Sequence, residues 1–158
     1  MLAENTVLTG RRAITRSYAK INLTLDVLSK RENGYHDIKM IMQTVSLFDL
    51  ILVDKTHRGI SISTNLPYLP CNEKNIAYKA ADAFFKATGI RGGAKIVIHK
   101  NIPVAAGLAG GSGNCAAVLT AINMLHGNPL SNDELMHIGA SLGADVPYCF
   151  DGSTQLAE

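Results

Sequence analysis

A chain of 158 residues, 47% hydrophobic and 18% charged, has the size and composition of one globular domain able to bury a core. Fifteen Lys and Arg against 13 Asp and Glu leave a formal charge of +2, and apart from Arg11-Arg12 and Lys30-Arg31 the basic residues are scattered, so no electrostatic case for nucleic acid arises. No stretch approaches the ~18 consecutive apolar residues of a membrane span or the pattern of a secretory leader, so neither membrane nor export is expected. Cys71, Cys115 and Cys149 lie far apart and never as a CxxC pair, which argues against a disulfide framework or a zinc site and fits a reducing cytoplasm.

The first clear element runs from Lys20 to Val27. Ile21, Leu23, Leu25 and Val27 alternate with Lys20, Asn22, Thr24 and Asp26, the period-2 pattern of a half-buried strand, so Lys20 and Asn22 are expected on one polar face. Lys30 to His36 is a polar connector with a turn signal at Asn33-Gly34, and strand character resumes from Ile38 to Val53, with a short strand at Ile60 to Ser63. After Pro70-Cys71-Asn72, the spacing of Ile76, Ala80, Ala83 and Ala87 predicts a helix stopped at Gly89, and residues 94–100 return to strand. Cys115, Val118, Leu119, Ile122 and Leu125 predict a second helix, starting just inside a glycine cluster and ending near Gly127-Asn128-Pro129. Ser131-Asn132-Asp133-Glu134 is a capping box for a third helix that Gly143 closes, and Ser153 to Glu158 reads as the start of a strand. Strands preceding and interleaving with helices define an α+β fold, a mixed sheet packed against helices.

The most informative segment is Pro103, Val104, Ala105, Ala106, Gly107, Leu108, Ala109, Gly110, Gly111, Ser112, Gly113 and Asn114. It follows a strand, opens a helix, and carries almost no bulky side chain, so backbone N–H groups at the positive end of the helix dipole can approach an anion closely. Ser112 adds a hydroxyl for a phosphate oxygen or a magnesium ion. No Gly-Lys-Ser/Thr closes the loop as in a Walker A motif, and its glycine spacing is a poor match to the dinucleotide fingerprint.

This loop, a proline and small residues followed by Gly-Leu-Ala-Gly-Gly-Ser, resembles the central motif of the GHMP kinases. Tyr18-Ala19-Lys20-Ile21-Asn22-Leu23, Asn33-Gly34-Tyr35-His36 and Gly143-Ala144-Asp145-Val146-Pro147-Tyr148 extend the resemblance over the chain, toward those members that phosphorylate a cytidine-diphosphate-linked methylerythritol in the non-mevalonate route to isoprenoids. The resemblance implies a domain like the second domain of ribosomal protein S5, with ATP and Mg2+ as cofactors. It implies Asp145 as general base on the attacking hydroxyl and Lys20 as the residue that orients it, with Asn22, Tyr35 and His36 on the substrate, the aromatic and imidazole rings at the cytosine. Residues Pro103 to Gly113, with Asn75 and Lys100 near adenine and ribose, are implied for ATP, and Ser112 for the metal. Taken singly, Asp145 also suits a helix cap and Lys20 a solvated strand face; it is their occurrence with the loop that favours chemistry.

The resemblance also implies one N-terminal ATP-binding domain over 1–158 and a C-terminal GHMP domain absent from the chain, leaving an interdomain surface open to self-association. Two other functions fit the residues: a GHMP kinase for another small alcohol such as mevalonate or homoserine, and a nucleotide-binding module or fragment without catalysis.

Overall fold

A computed structural model of the chain describes residues 2–30 and 36–157. In chain order the elements are β1 (Thr6–Thr9), β2 (Arg12–Lys30), β3 (His36–Thr56), β4 (Gly59–Thr64), α1 (Ile76–Thr88), β5 (Gly93–His99), α2 (Gly110–Leu125), α3 (Asn132–Leu142), α4 (Val146–Asp151) and β6 (Thr154–Ala157). The expected α+β class is what forms: a mixed sheet in the order β1-β2-β3-β5-β4, with β6 also on β3 and helices against it. Pairing is antiparallel except between β4 and β5, which α1 connects as a parallel crossover.

Local chemistry explains the helices. Asn75 caps α1 by accepting from Ala77 N–H, and Gly89 ends it in a left-handed conformation, φ 66°, where a Cβ would be strained. The α3 capping box forms as its sequence indicates, and the Ser131 hydrogen bonds hold the Glu134 carboxyl below its ordinary range. Helix α2 is buried along most of its length because Cys115, Ala116, Ala117, Val118, Leu119, Ala121 and Ile122 let neighbours approach from every side. Against it pack Ala77, Ala80, Ala81 and Phe84 of α1 and Ile51, Val53, Ile96 and Ile98 of the sheet.

Three differences from the sequence reading have physical reasons. Strand β1 and the first half of β2 were not expected, because polar Thr15, Ser17 and Arg16 break the hydrophobic pattern; Thr15 and Ser17 are nevertheless buried beneath α2. The short α4 was also unexpected, its Pro147 being compatible with a first helical turn. In the distal part of β2, Ile21, Leu23, Leu25 and Val27 are 36%, 56%, 52% and 61% exposed, because no described helix covers the sheet there. The ladder also slips between Tyr18 and Lys20, Asn22 and Thr24, and Val27 and Ser29, so the alternation does not run unbroken through the strand.

Candidate active site

The loop between β5 and α2 forms one wall of a cavity of about 490 Å³, a volume suited to a nucleotide-sized ligand. Its other walls bring Thr64, Leu69, Pro70, Lys74, Asn75 and Ile76 from the β4–α1 side, with Asn114 and Asp145 at the α2 end. Ala105 and Ala109 both take positive φ, 57° and 54°, a left-handed conformation that costs an alanine roughly 1–2 kcal/mol. The strain is held in place by hydrogen bonds: Gly113 N–H donates to Ala109 O at 2.8 Å, and Lys20 N–H donates to Leu108 O at 3.1 Å. The second bond arises at the first slip of the β2 ladder, so the bulge that interrupts the strand joins it to the loop.

The same residue turns its side chain toward Asp145. Lys20 is 5% exposed; its Nζ donates to Asn22 Oδ1 at 2.9 Å and stands 3.8 Å from Asp145 Oδ2. Lys20 and Asn22 therefore share a face, as their spacing in the strand indicates. Asp145 is the N-cap residue of α4, but its carboxylate makes no capping bond, which leaves it for the lysine and the cavity. Thr44, the cross-strand partner of Lys20, has its hydroxyl 3.0 Å from the Tyr148 hydroxyl, which also donates to Ser153 O at 2.8 Å. Burial raises the Tyr148 phenol above its ordinary pKa, so it stays a neutral donor. These bonds fix α4 against β3, and with it Asp145 against Lys20.

Beside this pair lies Cys149, whose thiol donates to Asp145 O at 3.2 Å. Burial, and then the Asp145 carboxylate, push it up to about 12, with Lys20 pulling the other way. It is a protonated thiol at neutral pH and has no thiolate with which to act as nucleophile.

The structure brings Lys20, Asn22, Asp145 and Pro103 to Ser112 together. Gly113, expected with them, is instead buried against Ser17 of β2 outside the cavity lining, because the first turn of α2 rotates it toward the sheet and its N–H is taken by Ala109 O. Asn75 and Lys100 line the cavity as well, but their polar groups are engaged: Asn75 Oδ1 accepts from Ala77 N–H and its Nδ2 donates to Pro70 O, while Lys100 Nζ pairs with Asp49. Tyr35 and the side chain of His36 lie outside the described residues. Ser112 and Asp145 offer hard oxygen donors of the kind magnesium takes, although the described residues contain no cluster of three or more Asp, Glu, His or Cys. Two residues of the site were assigned no role from the sequence: Asn114, read only as the end of the loop, and Asp49, not singled out at all. Asn114 is 4% exposed, lines the cavity, and its Oδ1 has no hydrogen-bond partner; Asp49 is wholly buried beneath the loop. A lone acid within the apolar run Phe48 to Val53 was the available signal for the second.

A strand, a small-residue loop at a helix N-terminus and a Lys-Asp pair beside it define a class, and the chain belongs to it: residues 75–153 match the GHMP kinases N terminal domain. Curated relatives named 4-diphosphocytidyl-2-C-methyl-D-erythritol kinase include that of Clostridium botulinum (strain Alaska E43 / Type E3), 51% identical over 143 residues, covering 90% of this chain and 51% of that protein. The Caldicellulosiruptor saccharolyticus protein of the same name is also 51% identical, covering 92% of this chain and 50% of its own. A crystal structure of 4-(cytidine 5'-diphospho)-2C-methyl-D-erythritol kinase superposes with a TM-score of 0.81 at 35% identity over 91% of this chain and 51% of that one. Methanococcus jannaschii mevalonate kinase, at 16% identity and a TM-score of 0.72, shares the fold. The chain thus spans about half the length of the curated relatives it matches. Among the described residues no helix is long and apolar enough to cross a membrane.

Proposed function

We propose that the chain is the N-terminal, ATP-binding domain of a kinase that phosphorylates the 2-hydroxyl of 4-diphosphocytidyl-2-C-methyl-D-erythritol, working in the cytoplasm. The observation that carries this is the meeting of Lys20 and Asp145, 3.8 Å apart, with Asp145 lining the cavity that the loop encloses. The family shared with half-matching relatives of that name supports the substrate; Asn22, beside Lys20, and Tyr35 and His36 are the residues assigned to it. The remaining half of those relatives' length is taken to hold the second domain that covers the site. Until it is covered, the exposed apolar strand face favours self-association.

Phosphoryl transfer asks the protein to position a nucleophile and to spread negative charge. In this site the Asp145 carboxylate accepts the proton of the substrate hydroxyl as its oxygen bonds the γ-phosphorus of ATP and the bond from that phosphorus to the β,γ-bridging oxygen breaks, releasing ADP. The Lys20 ammonium holds hydroxyl and carboxylate together and favours the ionised oxygen. The loop N–H groups and Ser112 receive the phosphates, and magnesium, when bound there, neutralises part of their charge.

In the protein extended to its relatives' length, Asp145→Ala and Lys20→Met are expected to lower kcat by roughly 10²-fold or more, the range of a lost general base, with the thermal melt retained. Turnover near the unsubstituted rate in either variant removes the mechanism. The same ADP-release assay run with mevalonate and homoserine reports a different alcohol, and ATP binding without ADP release from any of them reports a module without catalysis.

A further inference from the structure

Asp49 lies on the covered face of β3, opposite Ser17, and is 0% exposed. A carboxylate taken this far from water is costly unless its oxygens are paired and hydrogen-bonded. Three consecutive residues supply the partners. Lys100 Nζ pairs with Oδ2, while Asn101 N–H and Ile102 N–H both donate to Oδ1, at 2.7 and 2.8 Å. These residues are the entry to the loop, immediately before Pro103.

Neighbouring bonds hold the same segment. Asn65 accepts from Lys100 N–H at 2.7 Å and donates to Lys100 O at 3.1 Å, and the Asn101 amide donates to Phe48 O at 2.9 Å. Lys100 is 8% exposed, and a Cβ added to Gly110 would stand 2.9 Å from its Nζ. The ammonium therefore sits under the first residue of α2, where the helix end is already positive, and Asp49 supplies the compensating charge.

We propose that Asp49 is a positioning residue for the phosphate loop: its Oδ1 anchors the loop entry through Asn101 and Ile102, and Lys100 serves as its counter-ion, not as a ligand of the nucleotide. The proposal rests on reading the cavity as the nucleotide site. The two carboxylate oxygens have separate duties, which allows them to be separated by substitution. In Asp49→Asn/Lys100→Met the anchoring oxygen stays and both charges go. In Asp49→Leu/Lys100→Met the volume stays, both charges go, and the anchor goes too.

Both doubles of the 158-residue chain are to be titrated calorimetrically with MgATP and with adenosine, after a thermal melt. Asp49→Asn/Lys100→Met is expected to bind MgATP within about threefold of the unsubstituted chain, and Asp49→Leu/Lys100→Met at least roughly tenfold more weakly, the scale of lost hydrogen bonds to a charged acceptor. Adenosine, which has no phosphate, is expected to bind the two doubles alike, an outcome that a general loosening of the fold would not give. Equal MgATP affinity in the doubles overturns the proposal: if both are tight the anchor does nothing, and if both are weak Lys100 itself holds the phosphates. Should the unsubstituted chain fail to bind MgATP, the reading of the cavity fails, and hydrogen exchange still tests the anchor. The Asn101 and Ile102 amides are expected to exchange at least tenfold faster in Asp49→Leu/Lys100→Met than in the Asn double, and equal rates reject it.

Discussion

The β2–β3 hairpin has two halves that differ in everything except their strand geometry. In the near half, Ala13, Thr15, Ser17 and Ala19 are buried with Ile51 and Val53, helix α2 lies across β2, and polar groups are buried with the apolar ones. In the far half, Ile21, Leu23, Leu25 and Val27 stand in solvent. Lys20 marks the boundary, buried itself and followed by exposed residues, and it is there that the ladder slips and Asp145 is met. An alternating pattern is enough to make a strand; which part of that strand is covered depends on where a helix elsewhere in the chain ends.

Three sets of substitutions sharpen or break that contrast. The largest effect is expected from Ile51→Ala, which leaves a cavity under α2 and should lower unfolding free energy by about 2–5 kcal/mol in a denaturant titration. A loss below about 1 kcal/mol would mean that the near half is not a tightly packed core.

A smaller loss, about 1–3 kcal/mol, is expected from Gly113→Ala, because the added Cβ would lie 2.5 Å from Ser17 Oγ. That hydroxyl is buried and has no hydrogen-bond partner, so Ser17→Ala should be nearly neutral by itself and should restore most of the stability in the double variant. Additive losses in the double would show that helix and strand do not meet through these two atoms.

The smallest is expected at the far end. Leu23→Ser with Leu25→Ser should change stability by no more than about 0.5 kcal/mol per site and should reduce self-association in sedimentation velocity. A large loss of stability there would mean that the far half is packed in solution, and the two halves would no longer differ.

The parts of the fold legible in the sequence are those whose cause is local. Ser131 and Glu134 form their box within one helical turn, Gly89 stops α1 by its own backbone freedom, and the helix after the glycine cluster begins where small residues expose N–H groups. The candidate site was legible to the same degree: the loop, Lys20 with Asn22, and Asp145 come together as their motifs indicate. What was missed depends on partners far away in the chain. Asp49 reads as one polar residue in an apolar strand until β3 and β5 pair and bring it to Lys100, 51 residues on. The engagement of Asn75 and Lys100, both expected to be free for nucleotide, is likewise invisible before Pro70 and Asp49 are placed beside them.

The sequence by itself determined the family, the order of the main strands and helices apart from β1 and α4, and the residue types proposed to receive phosphate and to move a proton, because each is written in short motifs or in a period of two or three to four residues. Only the tertiary structure decided that a bulge ties Lys20 to Leu108, that Asp145 leaves its own helix uncapped and faces Lys20, and that a buried carboxylate carries the entry to the loop. Those depend on contacts across the sheet and between layers, where desolvation makes each unpaired polar group costly and so selects its partner.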